Sequence, residues 1–295
     1  MQTLLNCPVC GGIALNNTIS CKDFVASGEC FSLQRCADCT FLFTNPRPDE
    51  NEIGKYYQSD KYISHSGSKS GIIYKIYDVV RNFSIRSKLR IIKKHHKSGR
   101  LLDLGCGLGY FLNGAKKDNS FDVVGVDVSD DAVAYVHKNF GLVVKKEGEL
   151  DTFLNHEFDV ITQWHVLEHV HLLNERMQQL KRILKAGGTM FVAVPNSNSL
   201  DSKNYREFWD GYDAPRHLYH FNRKSFRLLM EKHGFEVIKE RPLWFDAPYV
   251  CMRSEVHKGN KILAFVFGAF SGACSNFLAL FSGNYSSVLF VVKNK

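Results

Sequence analysis

The chain has 295 residues, of which 44% are apolar and 23% charged, and its formal net charge is +8. This composition supports an ordinary hydrophobic core and excludes a disordered or fibrous chain, and the length suits one large domain or two modest ones. The lysines and arginines are scattered, so the positive charge alone does not indicate a nucleic-acid partner. No cleavable signal is recognisable at the first residues, and the cytoplasm is the expected location.

Two Cys-x-x-Cys pairs lie near the start of the sequence. Their members are Cys7, Cys10, Cys36 and Cys39. The nine cysteines are an odd number, and close pairs of this kind indicate a metal in a reducing compartment rather than a set of disulfides. Each pair turns two thiolates towards one point, so the pairs predict a closed zinc site with a structural role. Cys21 and Cys30 lie between the pairs without this spacing and are not included in the site.

The rest of the chain divides into two further parts. The predicted ribbon covers residues 1–48 and ends in Asn-Pro-Arg-Pro, which proline makes a rigid linker. Residues 49–98 follow as a linker with a polar glycine–serine stretch near 64–71 and a helix over about 72–97. From residue 99 to residue 295, strands alternate with helices, which predicts an α/β fold with a doubly wound, mostly parallel sheet. The predicted strands lie at about 100–104, 121–127, 142–146, 158–163, 188–194, 235–240 and 288–293. The predicted helices lie at about 108–118, at 130–139 with Ser129 or Asp130 as the cap, and at 172–185 and 224–233, each of the last two followed by glycine.

A glycine-rich turn follows the first strand of this sheet. The sequence Asp103-Leu-Gly-Cys-Gly-Leu-Gly109 contains three alternating glycines, and the second strand ends in Asp127. Because the carboxyl ends of parallel strands open on one edge, an adenosyl ligand can approach the glycine backbone there while the acid binds both ribose hydroxyls. The spacing differs from the Gly-x-Gly-x-x-Gly of a pyrophosphate-binding dinucleotide site, because residue 110 is tyrosine. A turn that only packs a strand on a helix is the structural alternative.

The order of the motifs along the chain resembles a known family. After the ribbon and the glycine turn come Val-Gly-Val-Asp127, His165-Val-Leu-Glu-His169-Val, Leu-Lys-x-Gly-Gly and Pro215-Arg-His-Leu-Tyr-His-Phe221. This set is similar to class I S-adenosylmethionine (SAM) methyltransferases that carry an N-terminal zinc ribbon. Its centre resembles ubiquinone-type O-methyltransferases and its ribbon resembles deoxysugar C-methyltransferases. The resemblance implies a seven-stranded, Rossmann-like sheet whose last strand runs antiparallel beside the sixth, and methyl transfer from SAM.

The resemblance also implies which residues bind SAM. Asp103 and the three glycines would surround its methionine and ribose, and Asp127 would accept hydrogen bonds from the ribose. Glu149 falls where the family contacts the adenine, Gln163 would line the pocket, and Tyr57 would cover the methionine end. The full predicted set is Tyr57, Asp103, Gly105, Gly107, Gly109, Asp127, Glu149 and Gln163.

The candidate catalytic residues follow the fourth and fifth strands of the sheet. His165, Glu168 and His169 are three and four positions apart, so they would share one face of a helical turn. They could act on the acceptor directly, position it, or bind a divalent cation, for which this donor set suits zinc or iron better than magnesium. Local hydrogen bonds that hold the loop are the structural alternative. His217 is the predicted general base, because imidazole titrates near neutrality, and His220 is predicted to be structural.

An apolar insertion of about 258–283 separates the last two strands. Its residues 262–281 carry no charge and nearly reach the length of a transmembrane helix. A single crossing is disfavoured, since both flanking strands must join one sheet. An interfacial helix, or a hairpin bent near Gly272, satisfies this constraint and predicts peripheral contact with the inner face of the membrane, with Lys258 and Lys261 near anionic headgroups. Packing on the sheet edge and contact between copies of the chain are the alternatives, and the oligomeric state stays open.

Three hypotheses for function follow. The leading one is a methyltransferase that acts on an oxygen or carbon of a small, lipid-linked or sugar acceptor, with the aromatic loop 205–212 crossing the pocket mouth. The second is a nucleic-acid-modifying methyltransferase that binds phosphate through its ribbon. No motif for base amino groups or for cytosine attack is present in the sequence, which argues against this second hypothesis. The third is a non-catalytic SAM-binding scaffold, which the intact glycines and polar pocket residues disfavour.

Overall fold

The computed structural model describes residues 1–57 and 72–295, and the predicted glycine–serine stretch lies outside these ranges. The strands are β1 (Leu15–Lys22), β2 (Cys30–Cys36), β3 (Leu42–Thr44), β4 (Gly99–Leu104), β5 (Phe121–Asp127), β6 (Val144–Lys146), β7 (Phe158–Trp164), β8 (Leu184–Pro195), β9 (Tyr219–His220), β10 (Phe235–Pro242) and β11 (Ser287–Asn294). The α-helices are α1 (Ile72–Lys93), α2 (Tyr110–Lys117), α3 (Asp130–Phe140), α4 (Leu173–Ile183), α5 (Leu200–Tyr205), α6 (Arg223–Lys232), α7 (Asp246–His257) and α8 (Ala264–Ser282).

The larger sheet has seven strands in the order β10-β11-β8-β7-β4-β5-β6. Strand β11 runs antiparallel to both of its neighbours, and the remaining pairs are parallel. Successive residues of β4 point to opposite faces, so Leu101 and Leu102 enter two different core clusters and both are fully buried. Each buried leucine contributes about 2 kcal/mol. The predicted fold is confirmed.

The helix that follows β5 shows how local sequence fixes the elements around the site. Ser129 is its N-cap, and the Ser129 side chain accepts a hydrogen bond from the backbone N–H of Ala132 at 3.3 Å. Asp130 and Asp131 occupy the first turn, where the helix dipole favours negative charge. Gly141 ends the helix in the left-handed conformation with φ 63°. The helix therefore begins at Asp130, as the sequence predicted.

A second, antiparallel sheet has the order β1-β2-β3-β9. Its first three strands belong to the ribbon, whereas β9 comes from the Pro215–Phe221 motif far along the chain. The Asn-Pro-Arg-Pro segment is not a free linker, because Asn45 and Arg47 are buried. The guanidinium of Arg47 donates a hydrogen bond to the hydroxyl of Tyr219 at 2.8 Å. The ribbon is thus continuous with the rest of the protein at this sheet, while the division into domains at residues 48 and 98 stays a prediction.

The aromatic loop has a different place from the one predicted. Tyr205, Trp209 and Tyr212 are buried in a core cluster that also contains Leu33 and Leu42 of the ribbon. The indole N–H of Trp209 donates to the buried carboxylate of Asp201 at 2.7 Å. These rings therefore join the ribbon to the rest of the protein instead of crossing a pocket mouth.

The apolar insertion contains α8, which forms a helical hairpin with the preceding helix α7. Helix α8 runs without a break through Gly272, so of the two forms considered, an interfacial helix and a hairpin bent at this glycine, the bent hairpin is wrong. The glycine instead allows close approach of α7, since a Cβ at residue 272 would lie 2.5 Å from the Cα of Pro248. Among the described residues, α8 is long and apolar enough to cross a membrane. Only 28% of its most apolar 18-residue stretch is buried inside the protein.

Candidate active site

The carboxyl edge of the large sheet carries the glycine turn between β4 and α2. Gly105, Gly107 and Gly109 all have positive φ, at 65°, 50° and 70°. A Cβ at Gly105 would lie 2.5 Å from the side chain of Val166, whereas a Cβ at Gly107 would meet nothing within 4 Å. The turn is therefore tightly packed against the protein at Gly105 and open at Gly107. That open space is where the predicted adenosyl ligand would contact bare backbone.

Asp127 lies at the end of the neighbouring strand with its carboxylate held in place. The backbone N–H of Gly107 donates to one oxygen at 2.7 Å, and the N–H of Ser129 donates to the other at 3.0 Å. Each oxygen of an ionised carboxylate can accept a second hydrogen bond. Asp127 can therefore also accept the two hydroxyls of a ribose.

Asp103 is buried beneath the turn, and Lys88 of α1 lies nearby. Burial raises the pKa of Asp103 to about 7, and one of its oxygens accepts a hydrogen bond from the hydroxyl of Thr162 at 2.6 Å. The ammonium of Lys88 lies 4.0 Å from the centroid of the Trp164 ring, and burial lowers its pKa. Lys88 was not among the residues predicted for the site. Lys88 lies four residues, about one helical turn, before the buried Ile92, and this spacing could have indicated that both side chains face the interior of the protein.

Three other predicted cofactor residues have local partners. Glu149 is exposed, and its carboxylate accepts the backbone N–H of Lys146 at 2.8 Å. Gln163 is fully buried, and its amide lies 3.4 Å from the sulfur of Met190. The hydroxyl of Tyr57 lies 3.0 Å from Nδ1 of His169, so this tyrosine contacts a predicted catalytic residue. The roles of Glu149, Gln163 and Tyr57 in cofactor binding stay predictions.

Glu168, His169 and His217 converge at the same edge of the sheet. One side-chain donor atom from each lies within 4.8 Å of the other two. The rings of His169 and His217 are perpendicular, with centroids 4.6 Å apart. The expected helical face of His165, Glu168 and His169 is wrong, because the helical turn covers only Leu167–His169 and His165 has φ 58°. His217 takes the place that the sequence analysis gave to His165.

Backbone carbonyls determine which ring nitrogens are free. Nδ1 of His169 lies 3.0 Å from the carbonyl oxygen of Arg216, and Nδ1 of His217 lies 2.9 Å from that of Gly211. A carbonyl oxygen only accepts, so we assign the proton to Nδ1 and a lone pair to Nε2 in both rings. Burial and, after it, the neighbouring imidazole of His217 lower the pKa of His169 to about 4, which keeps this ring neutral near pH 7.

The carboxylate of Glu168 is fully buried, and neither of its oxygens has a hydrogen-bond partner among the described residues. Burial alone would raise its pKa, but His165 outweighs burial and holds the pKa below its usual range. Nδ1 of His165 lies 3.3 Å from one oxygen, an ion-pair contact without hydrogen-bond geometry. Buried acceptors without donors are unfavourable by about 1–3 kcal/mol. Glu168 is thus suited to bind a donor or a cation.

His165 lies between two carboxylates. Its Nε2 is 3.0 Å from Asp246, the first residue of α7, and its Nδ1 faces Glu168. Burial alone would lower the pKa of His165, but Asp246 and then Glu168 raise it to about 10. Both nitrogens therefore carry protons, and the contacts are those of a residue that positions Glu168. Asp246 was not predicted, and its only signal in the sequence was that of an acid at the start of a helix.

The ribbon holds the loop that carries His217. The hydroxyl of Thr44 donates to the carbonyl of His217 at 2.8 Å and lies 3.2 Å from Nε2 of the buried His220. The buried guanidinium of Arg216 lies 3.1 Å from Asp23 of the ribbon and also contacts Asp213. His217 is thus fixed by residues far from it in sequence.

The four predicted metal-binding cysteines come together at the other end of the ribbon. Their sulfur atoms all lie within 4.8 Å of one another, with 3.5 Å between Cys7 and Cys39 and between Cys10 and Cys36. Tetrahedral zinc with bonds of about 2.3 Å would separate the sulfurs by about 3.8 Å. The four thiols therefore fit a zinc ion. Cys21 and Cys30 do not belong to the group, as predicted.

Comparison with known proteins agrees with this architecture. The profile of a family described as Methyltransferase domain matches residues 79–240. A probable S-adenosylmethionine-dependent methyltransferase of Mycolicibacterium smegmatis is 30% identical over 149 residues, which is 48% of this chain and 54% of that protein. The ubiquinone biosynthesis O-methyltransferase of Pelagibacter ubique is 29% identical over 137 residues, 45% of this chain and 55% of that protein. The chain thus spans about half the length of these two relatives.

A solved structure shows the same fold. A SAM-dependent methyltransferase from Thermotoga maritima superposes with a TM-score of 0.52 at 20% identity, over 75% of this chain and 95% of that one. The chain belongs to the methyltransferase domain family and has the class I fold of S-adenosylmethionine-dependent methyltransferases. It is a methyltransferase enzyme of this class, as the sequence predicted.

Proposed function

We propose that this enzyme transfers the methyl group of SAM to an oxygen or carbon of a small, lipid-linked or sugar acceptor. The observation that carries the proposal is the convergence of the buried Glu168 carboxylate with the imidazole rings of His169 and His217. Val166, which directly precedes this catalytic turn, packs against Gly105 of the glycine turn. The reacting groups and the cofactor turn are therefore neighbours.

The cofactor would be oriented by the residues around the glycine turn. The carboxylate of Asp127 accepts the ribose hydroxyls, and the open space above Gly107 admits the adenosyl group. Asp103, whose pKa burial raises to about 7, binds the ammonium of the methionine part, since a nearby cation favours its ionised form. Lys88 offers a matching ammonium for the methionine carboxylate.

The remaining task of the protein is to position the acceptor and remove its proton. SAM supplies an electrophilic methyl group on a sulfonium when it is bound. Nε2 of His217 takes the proton of the acceptor hydroxyl, because its Nδ1 is held by the carbonyl of Gly211. The carboxylate of Glu168 stabilises the positive charge that then forms on the ring. His169 stays neutral and can orient the acceptor through its own Nε2.

A divalent cation bound by Glu168, His169 and His217 is a second candidate for the same three groups. The unpartnered oxygens of Glu168 favour it, and a carboxylate with two imidazoles suits zinc or iron. The cation would lower the pKa of an acceptor hydroxyl, and His217 would then be a ligand and could not take the proton. The two roles of His217 exclude each other.

The ribbon cysteines are proposed to bind a structural zinc ion. Burial raises the pKa of Cys7 to about 11, so a bound cation is needed to keep this thiol ionised. Four sulfur ligands leave no open coordination position, which excludes direct participation in methyl transfer. The ion would stabilise the sheet that holds the His217 loop.

Transfer of a labelled methyl group tests the proposed reaction. The wild-type enzyme is incubated with methyl-labelled SAM and, separately, with an organic extract, a soluble sugar fraction and total RNA. We expect label in the organic or sugar fraction and a loss of roughly a hundredfold or more for His217→Ala, since general-base catalysis contributes that much. The exposed His137→Ala is the matched control. Label in RNA alone would contradict the proposed acceptor class, and full activity of His217→Ala would contradict the role of His217.

Metal dependence separates the two candidate roles of His217. A chelator is applied under conditions that leave the ribbon's metal content unchanged, as checked by elemental analysis. An unchanged rate supports His217 as the base. A lost rate that zinc or iron restores supports the cation site.

A further inference from the structure

The helical hairpin is closely packed on one side only. The buried face of α8 consists of small residues, of which Gly268 and Gly272 contact α7: Ala264, Gly268, Gly272, Ser275 and Ala279. A Cβ at Gly268 would lie 2.3 Å from the Cα of Met252, so the two helix backbones are in direct contact. The long side chains of α8 consequently point away from α7.

Polar contacts attach the same side of α8 to the rest of the enzyme. The hydroxyl of Ser275 donates to the fully buried carboxylate of Asp201 at 2.7 Å. The side chain of Asn276 donates to the carbonyl of Trp244 at 2.9 Å. Strands β10 and β11, which flank the hairpin, pair with each other in one sheet. A helix held in this way lies along the surface of the enzyme, and its outer side faces solvent.

That outer side carries exposed apolar side chains. Together with exposed apolar side chains of α1, of α7 and of the segments before α7 and α8, they form a surface that we call the apolar face. Ile262 is 94% exposed, Phe265 is 73% exposed, Phe270 is 71% exposed and Phe281 is 79% exposed. Its full membership is Phe83, Trp244, Phe245, Tyr249, Ile262, Leu263, Phe265, Val266, Phe267, Phe270, Phe277, Leu278, Leu280 and Phe281. The ring of Phe83 on α1 packs edge-on against Phe245 at 5.7 Å, so the face continues beyond the hairpin. Contiguous apolar surface of this kind marks an interaction site.

The charges around the apolar face select its partner. Residues 243–285 contain two acids, Asp246 and Glu255. Asp246 bonds to His165, and Glu255 is buried with its carboxylate bonded to Asn260 at 3.1 Å. Lys258 and Lys261, at the turn between the helices, are exposed. The border of the face is therefore cationic, which complements an anionic surface.

We propose that the apolar face binds the headgroup region of an anionic lipid membrane. Aromatic and aliphatic side chains would enter the interface while Lys258 and Lys261 contact anionic headgroups, as in other surface-lying amphipathic helices. Trp244 and Phe245 directly precede Asp246, which holds His165 in the active site. Membrane binding would thus bring the crevice next to the lipid. This part rests on the proposed function and narrows its acceptor to an amphiphile carried in the membrane.

Vesicle sedimentation tests the proposal. The full-length protein is mixed with vesicles of phosphatidylcholine alone or of phosphatidylcholine with phosphatidylglycerol. We expect sedimentation with the anionic vesicles and at least a roughly tenfold lower partition coefficient for the double variant Phe270→Ser and Phe277→Ser, because two large apolar side chains no longer enter the interface. The matched control replaces two equally exposed apolar residues outside the hairpin, Ile13→Ser and Leu154→Ser, and should bind as the wild type does.

Three results would overturn the proposal. The wild type could fail to sediment with anionic vesicles, the double variant could bind as well as the wild type, or the wild type could bind phosphatidylcholine alone equally well. Light scattering that shows a wild-type dimer and a monomeric double variant, without vesicle binding, would assign the face to a second copy of the chain. Binding of S-adenosylhomocysteine is measured in parallel for every variant. Loss of S-adenosylhomocysteine binding would contradict the proposed function. Retained binding without sedimentation would contradict only the proposed membrane binding.

Discussion

The ribbon and the helical hairpin are two additions to the same α/β core, and they contact the active site in opposite ways. The ribbon reaches the His217 loop through a strand pair, the hydroxyl of Thr44 and the buried ion pair of Arg216 with Asp23. The hairpin reaches the site mainly through Asp246 at its first residue and exposes most of its apolar side chains. The ribbon therefore fixes the geometry of the active site, whereas the hairpin presents an apolar surface.

The largest effect is expected from the buried ion pair on the ribbon side. Arg216→Ala should lower the free energy of unfolding by about 3–5 kcal/mol, because it leaves the buried carboxylate of Asp23 and the partly buried carboxylate of Asp213 without their cation. Urea denaturation measures this change. Arg90→Ala, which removes an exposed arginine from α1, should change stability by no more than about 0.5 kcal/mol. Equal losses in the two variants would show that the ribbon is not held by this pair.

A smaller effect is expected where the hairpin depends on close helix contact. Gly272→Val should destabilise the protein by about 1–3 kcal/mol, because the new side chain would collide with the backbone at Pro248. Gly148→Val is the control for the substitution itself, because a Cβ added at Gly148 would meet nothing within 4 Å. Thermal unfolding of both variants distinguishes them. A Gly272→Val protein as stable as its control would mean that α7 and α8 are not in contact.

The smallest effect concerns the dependence of stability on pH. Its sign should be opposite for Asp210, which contacts the hairpin, and for Asp23, which belongs to the ribbon. Burial raises the pKa of Asp210, which contacts Arg253 of α7, to about 6, above its ordinary value of 3.8. The folded state therefore holds this proton more tightly, and stability falls as pH rises from about 4 to about 6. For Asp23, backbone N–H groups and Arg216 outweigh burial and lower the pKa, so its contribution is lost as pH falls below about 4.

Two isosteric variants measure this difference. The stability of Asp210→Asn relative to the wild type should rise by about 2 kcal/mol between about pH 4 and pH 6. The relative stability of Asp23→Asn should instead fall as pH rises towards about 4 and stay level above it. Melting temperatures collected at several pH values give both curves. Parallel curves would contradict the distinction between the two sides.

The predictable part of the structure was the part that local sequence determines. Runs of apolar residues predicted the strands, glycines predicted helix ends, and Ser129 predicted the start of a helix. These signals act over only a few residues. The convergence of His169 with His217, 48 positions later, was not predicted, since it depends on the pairing of β3 with β9. Lys88 and Asp246 were missed for the same reason. The bend at Gly272, one of the two forms considered for the apolar insertion, was wrong because glycine there serves a helix contact that the sequence alone does not show.

The central claim is that the crevice above β4 and β5 binds the adenosine of SAM through Asp127. Calorimetric titration with S-adenosylhomocysteine, the demethylated product, tests it most directly. We expect binding by the wild type, binding weaker by roughly tenfold or more for Asp127→Ala because its ribose hydrogen bonds are lost, and unchanged binding for Asp122→Ala on the same strand. The absence of heat from folded, zinc-loaded wild-type protein with either SAM or S-adenosylhomocysteine would contradict the claim.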